Sequence, residues 1–398
     1  MRCINCNKSR DNSDFFIEVE NNQGDENIYF CGDCIDKMYE LRKNNSTNSN
    51  SNILIDHDSI PSTKSVVEYL DKYIVSQERA KKTLSVAVRN HYKRLQLPNN
   101  EAEKVEKSNV LIMGESGTGK TAMIKKIAEY ISVPLSIIDT SVTTTDGYMG
   151  ENVENAIVEL YKNADNDKEL TEKGIVFFDE LDKKKKSSTK GQGKDVGGES
   201  VQTSMLKLLE GKSVKVDKDV YIDTTNILFI AGGAFVDLKN IIQNRIKRNT
   251  IGFNKKDSKE VQMEDIYKEV TSEDLNEYGL IPELIGRFPI VSHTSKLTEE
   301  DLKKIVSEPE DSIMKQFQKL FKVDDISLHF DKHAIEYVAR KANNSETGVR
   351  GIRKIMENVL EDIQFNIEDY KDQGVKKIQI TKNKTQDELT PRFRYSKK

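Results

Sequence analysis

The rhythm of apolar positions changes along the chain. From about residue 63, SVVEYLDKYI and ERAKKTLSVAVRNHYKRL repeat apolar residues at helical spacing, Val86, Val88 and Leu95 among them. These helices alternate with short continuous apolar runs, NVLIM (109–113), LSIID (135–139), GIVFFDE (174–180) and NILFIAGG (226–233), which read as strands. Continuous runs suit a parallel sheet covered on both faces, so the expectation is an α/β core. After about residue 295 helical spacing takes over, in LTEEDLKKIVSEPEDSIMKQFQKLF and GVRGIRKIMENVLEDIQFNI. A smaller, mainly helical domain should follow there. The closing stretch, KNKTQDELTPRFRYSKK, is polar and reads as a mobile end.

Before residue 63 the pattern thins out. NNSTNSNSN (44–52) has nothing to bury and predicts a flexible linker. Residues 1–40 hold all four cysteines, as CINC and CGDC, followed by IDKMYELRK, which reads as a short helix. The division is a module at 1–40, a linker at 41–62, a large domain at 63–294, a small domain at 295–385 and a polar tail at 386–398. No internal repeat at solenoid periods interrupts it.

Composition narrows the class. A chain of 398 residues has room for two or three domains. Its 36% hydrophobic and 32% charged residues describe a soluble protein, and no run approaches the roughly 18 apolar residues of a spanning helix. MRCINCNKSR lacks the apolar core of a secretory signal, so the expectation is the cytoplasm or an equivalent reducing compartment, with the thiols reduced. The net charge of −4 argues against a nucleic-acid binder. Lys183 to Lys186 form a basic run that reads equally as a solvated loop.

Cys3, Cys6, Cys31 and Cys34 make two CxxC pairs separated by residues 7–30. Four thiolates from two such knuckles suit a closed, structural Zn2+ site, although the spacer is longer than usual. A thioredoxin-like redox pair would place one CxxC near a βαβ unit, and neither pair lies there.

GESGTGKT, comprising Gly114, Glu115, Ser116, Gly117, Thr118, Gly119, Lys120 and Thr121, matches a phosphate loop and stands between a strand and a helix. Backbone amides and the helix N-terminus would cradle the phosphates of ATP. Lys120 would reach the β and γ groups, and Thr121 would meet Mg2+. Some sixty residues on, GIVFFDELDK ends an apolar strand in Asp179, placed to hold the magnesium, and Glu180, placed to polarise a water. A lone Asp-Glu pair often only caps a helix; its pairing with a phosphate loop gives it meaning. Arg287 in GLIPELIGRFP and Arg350 in TGVRGIRK are candidates to stabilise the γ-phosphate, against the plainer reading of surface arginines.

Taken in order, YIVSQERAKKTLSVAVRNHYKRL, DGYMGENVENAI, GGESVQTSMLKLLEG, NILFIAGGAF, GLIPELIGRFP and TGVRGIRKI give the chain a further resemblance. From Cys3 to about residue 365 it resembles the ClpX family, AAA+ unfoldases that feed a ClpP-type peptidase ring. The resemblance implies a homohexamer in which Tyr73, Ile74 and Val75 pack around the adenine and Arg350 is the sensor arginine of the small domain. Arg287 would be the finger reaching a neighbouring subunit's nucleotide. Gly147, Tyr148, Met149 and Gly150 match the loop that grips a polypeptide in the pore. Residues 188–198 fall at a second pore loop, and Ile251, Gly252 and Phe253 match the loop that docks on the peptidase. Alone, GYMG reads as a tyrosine packed in a turn and IGF as a short buried strand. The zinc module is implied to meet adaptor proteins.

Two departures stand out. Ser76 in YIVSQ replaces the family glycine, and GKSVKVDKDVYIDTTN is too short to carry the usual pore-entrance loop. No Ser, His and Asp constellation suggests a peptidase within the chain. Two alternatives remain at this level: a remodeller working without a peptidase, and a zinc-ribbon ATPase driven by nucleic acid.

Overall fold

The structure is a computed structural model that describes residues 3, 6, 16–19, 28–32, 34, 60–98, 101, 105–143, 152–186, 198–249, 263–345, 348–383 and 387–395. The chain divides into two compact units, Met1–Leu54 and Ile55–Lys398. In the first, β1 (Phe16–Val19) and β2 (Ile28–Cys31) pair antiparallel, with Phe16 opposite Cys31. The helix expected over IDKMYELRK and the linker at 44–52 lie outside the described residues.

In the second unit, β3 (Val110–Met113), β4 (Leu135–Asp139), β5 (Ile175–Asp179), β8 (Leu228–Gly233) and β9 (Ile290–His293) form one parallel sheet. Their order is β4-β5-β8-β3-β9. The four apolar runs read from sequence supply four of these strands. Strand β9 completes the sheet from PIVSH, where two apolar residues are too few to signal a strand.

Alternation through the central strands feeds two cores. Leu111, Met113, Phe178 and Phe229 face one cluster, which the helices Asn155–Asn163 and Gly198–Glu210 cover. Val110, Ile112, Phe177 and Ile230 face the other, beneath Thr63–Asp71, Glu78–Leu95 and Lys120–Ile131. Val88 is buried in this second core, whereas Val86 points outward at 39% exposure, so only part of the apolar set on that helix is a core face. Between the helix Gly198–Glu210 and β8, the short stretch after LLEG folds into a hairpin of β6 (Ser213–Lys215) and β7 (Tyr221–Asp223).

A third core lies among the C-terminal helices Glu299–Ser307, Ile313–Val323, Lys332–Asn343 and Val349–Phe365. It is backed by a sheet of order β10-β11-β12, with β10 Ser327–Phe330, β11 Val375–Lys382 and β12 Leu389–Tyr395. Strand β12 corrects the expectation of a mobile tail over 386–398. It pairs antiparallel with β11, setting Phe393 opposite Ile378. Leu389 and Phe393 pack on the third core, with the Phe393 ring 4.6 Å from that of Tyr370. Pro391 is tolerated because β12 is the edge strand, where a missing N–H breaks little. A two-residue apolar alternation around a proline hid this strand among charged neighbours.

Candidate nucleotide-binding site

The chain leaves β3 at Met113 and turns through three glycines with positive φ: Gly114 at +149°, Gly117 at +82° and Gly119 at +93°. At Gly114 a Cβ would stand 1.8 Å from Thr294 Oγ1, so only glycine fits. The helix Lys120–Ile131 starts directly after Gly119, which has no side chain to cap it. Its first N–H groups are therefore directed at whatever occupies the loop.

The loop's own side chains brace it from outside. Thr118 Oγ1 lies 2.7 Å from Thr294 Oγ1, and Glu115 takes an ion pair from Lys239 at 2.9 Å. Lys120 is buried, its Nζ donating to the carbonyls of Gly114 at 2.6 Å and Glu115 at 2.9 Å. Burial holds the Lys120 pKa below the ordinary lysine value, with Asp179 and Asp182 working the other way.

Asp179 ends β5 facing this helix. Thr121 donates its hydroxyl to Asp179 Oδ2 at 2.7 Å, and the Glu180 N–H donates to Oδ1 at 3.0 Å. Glu180 itself is in the left-handed region at φ +57°. A cavity of about 460 Å³ opens between these groups. It is bordered by Ser116, Gly117, Gly119, Lys120, Thr121, Asp179 and Glu180, and on its far side by Val349 and Arg350 at the start of the helix Val349–Phe365. A nucleoside triphosphate with a divalent cation fits this donor set. The glycine cradle presents backbone amides, a buried lysine supplies charge, and two oxygens converge at Thr121 and Asp179.

The other expected residues divide. Ile74 reaches the loop, with its Cγ2 3.8 Å from where a Cβ on Gly119 would be. Val75 is half-buried beside it. Tyr73 turns away, its ring under Lys126 Nζ at 4.0 Å and its hydroxyl donating to Glu310 at 3.2 Å. Arg287 does not border the cavity, and pairs with Glu210 at 2.7 Å. Residues 147–150, 188–197 and 251–253, hence Tyr148, Met149, Ile251 and Phe253 with their flanking glycines, lie outside the described residues.

Lys183 to Lys186 are neither a basic patch nor a freely solvated run. Lys183 borders the cavity, Lys184 donates to the Ser141 carbonyl at 2.9 Å, and Lys185 and Lys186 each pair with an acid, Asp237 and Glu199, at 3.0 Å.

Asp182, Thr294 and Val349 are among the site residues that escaped the sequence reading. Asp182, buried, accepts from the Ala234 N–H at 3.0 Å and lines the cavity floor. Its signal was the third acid of DELD. Thr294 and Val349 carried none, because the first follows the unread strand β9 and the second is one apolar residue among many.

In the first unit, the sulfur atoms of Cys3, Cys6, Cys31 and Cys34 all lie within 4.8 Å of one another, with Cys6 and Cys31 3.4 Å apart. Tetrahedral zinc at about 2.3 Å from each sulfur would set them about 3.8 Å apart, so the cluster fits that ion.

Comparison with known proteins gives these sites a family. The profile of the AAA domain (Cdc48 subfamily) matches residues 105–291, and that of the C-terminal, D2-small domain, of ClpB protein matches residues 297–365. Fold and cavity together define an AAA+ ATPase. The chain is 42% identical over 395 residues to the ATP-dependent Clp protease ATP-binding subunit ClpX of Treponema denticola, covering 96% of this chain and 92% of that protein. It is 41% identical over 372 residues to the same subunit of Borrelia duttonii, covering 90% and 86%. The chain belongs to the ClpX family. Among the described residues no helix is long and apolar enough to cross a membrane.

Proposed function

We propose that this chain hydrolyses ATP in a homohexameric ring to unfold proteins and thread them into a separate ClpP-type peptidase. The observation that carries this reading is the single cavity shared by Lys120, Thr121, Asp179, Glu180 and Arg350. Magnesium-bound ATP supplies the reactive phosphoanhydride and part of the charge compensation. Backbone amides of residues 114–121 bind the phosphates, and Lys120 exchanges its two carbonyl partners for phosphate oxygens. Thr121 and Asp179 hold the cation through the oxygens that now face each other. Glu180 orients the attacking water and accepts its proton, while Arg350 closes the cavity from the small domain. Ile74 and Val75, with Tyr73 outside them, flank the adenine.

Arg287 acts in trans, completing the site of the next subunit, which makes hydrolysis depend on assembly. In the same reading the domains divide at 63–294 and 295–385, so nucleotide sits where they meet. Tyr148 and Met149, flanked by Gly147 and Gly150, grip the substrate. Ile251, Gly252 and Phe253 dock on the peptidase. Cys3, Cys6, Cys31 and Cys34 hold Zn2+ in a structural module available to adaptor proteins, and the assembly works in the cytoplasm.

The test is degradation of an unstructured, dye-labelled protein by this chain with a matched ClpP, with Glu180→Gln as control. ATP-dependent degradation lost in the control supports the reading. ATP hydrolysis by an assembled ring without degradation would replace it with a peptidase-free remodeller, and stimulation by DNA or RNA alone with a nucleic-acid ATPase.

A further inference from the structure

Two consecutive residues between the adenine-side loop and the helix Glu78–Leu95 stand in the left-handed region without being glycine: Ser76 at φ +57° and Gln77 at +69°. Each such residue costs about 1 kcal/mol or more, and strain of this kind persists where the surroundings hold it in place. Here both side chains reach the same distant part of the chain. Ser76 Oγ donates to Asp301 Oδ1 at 2.5 Å. Buried Gln77 donates through Nε2 to the Ser295 carbonyl at 3.0 Å and accepts from the Ser295 N–H at 2.7 Å. Nearby, the Glu310 N–H donates to the Lys72 carbonyl at 2.9 Å, and Tyr73 reaches the Glu310 carboxylate.

Residues 72–77 are thus hydrogen-bonded to the segment that leads into the third core, while Ile74, in the middle, rests against the phosphate loop. Of these contacts, two are charge-assisted bonds between side chains, and Ser76 with Asp301 is much the shorter at 2.5 Å against 3.2 Å for Tyr73 with Glu310, the length of a strong O–H···O⁻ bond. Asp301 opens the helix Glu299–Ser307. Its other oxygen, Oδ2, accepts from the Thr298 N–H at 2.9 Å and hydroxyl at 2.7 Å, forming a capping box. Burial would raise the Asp301 pKa, but the bonds from Ser76 and Thr298 hold it below the usual range, so the acceptor is a carboxylate at neutral pH.

We infer that Ser76 is a positioning residue for the nucleotide: by donating to Asp301 it ties the loop carrying Ile74 to the helix Glu299–Ser307, and so fixes the adenine side of the cavity relative to the small domain. The inference rests on the reading of the cavity as the ATP site. A glycine at 76 would relieve the backbone and remove the tie; serine keeps the tie at the expense of the backbone.

The experiment is equilibrium binding of a fluorescent ADP analogue with magnesium to the full chain, run beside thermal unfolding. Ser76→Ala and Ser76→Gly should each bind about three- to tenfold more weakly than the parent, the span of one net hydrogen bond. Ser76→Gly should unfold no earlier than Ser76→Ala, since it also loses the strain. Thr298→Ala breaks the cap and leaves Asp301 available to Ser76, so it should lower the unfolding temperature and leave affinity unchanged. Combining Ser76→Ala with Asp301→Asn should weaken binding no further than the stronger single change. Parent-like affinity in Ser76→Ala, or an equal loss in Thr298→Ala, overturns the inference. Lys120→Ala separates the two levels: if it binds like the parent, the site itself is wrong, whereas its failure beside parent-like Ser76→Ala removes only the tie.

Discussion

Arg287 Nη2 lies 2.7 Å from Glu210 Oε1, with both side chains about half exposed, on a part of the surface that does not border the chain's own cavity. The backbone beneath it is fixed, because the buried Asn109 amide donates to the Arg287 carbonyl at 3.1 Å while accepting from the Phe229 N–H. A surface ion pair of this exposure contributes at most about 1 kcal/mol, so Arg287 can leave Glu210 for a stronger anion. Arg287→Ala should lower ATP turnover about a hundredfold or more while nucleotide affinity stays within about twofold. Turnover should return when Arg287→Ala subunits are mixed with Glu180→Gln subunits, since each then supplies what the other lacks. Mixed rings as inactive as either parent would show that Arg287 does not act across subunits.

Gly114 offers a steric test of the phosphate loop. A Cβ there would lie 1.8 Å from Thr294 Oγ1 and 3.1 Å from its Cβ. Thr294 is pinned by Thr118 and by its own N–H to the Met113 carbonyl at 2.8 Å. Gly114→Ala should destabilise by about 2 kcal/mol, as overpacking and backbone strain do, and weaken nucleotide binding at least about tenfold. Adding Thr294→Ala removes the closest atom and should recover part of the stability. Binding curves and urea unfolding of the parent and the two variants decide it; a parent-like Gly114→Ala would mean the loop is not built this tightly.

How much of this was legible can be traced residue by residue. The phosphate loop, Asp179 and four of five core strands stood out because continuous apolar runs and glycine spacing are local signals. Strand β12 did not, since Phe393 and Leu389 gain their meaning from β11 and Tyr370, partners that no pattern within the strand itself reveals. The same holds for Thr294, which matters only because the fold sets it against Gly114 and Thr118. Arg350 could be singled out, but its arrival beside Lys120 depends on packing that no local pattern encodes.

The four cysteine sulfurs within 4.8 Å predict stoichiometric zinc in the purified chain. Cys34→Ser should lose the metal, because three ligands bind structural zinc far less tightly than four. A strong chelator should make the cysteine module at 1–40 susceptible to protease, as zinc binding is folding free energy in so small a unit. Elemental analysis beside limited proteolysis checks both. Protection that is indifferent to chelation would mean that the module folds without metal.

His91 is fully buried next to two cations, and among the described residues no side chain offers its ring nitrogens a hydrogen-bond partner. Burial, assisted by the charges of Lys107 and Arg94, lowers its pKa to about 3. In the unfolded chain the value returns to about 6.5. Between those limits the unfolded state binds a proton that the folded state refuses, so stability rises with pH across the window and falls as the solution is acidified. By pH 5 the loss from this residue should reach roughly 2 kcal/mol. Carboxylates titrate in the same range, but they are common to parent and variant and cancel in the difference. His91→Asn, whatever its stability at pH 7, should therefore lose about 2 kcal/mol less than the parent between pH 7 and pH 5 in urea unfolding. Parallel pH profiles would mean that His91 takes up its proton in the folded state, which its burial beside Lys107 and Arg94 forbids.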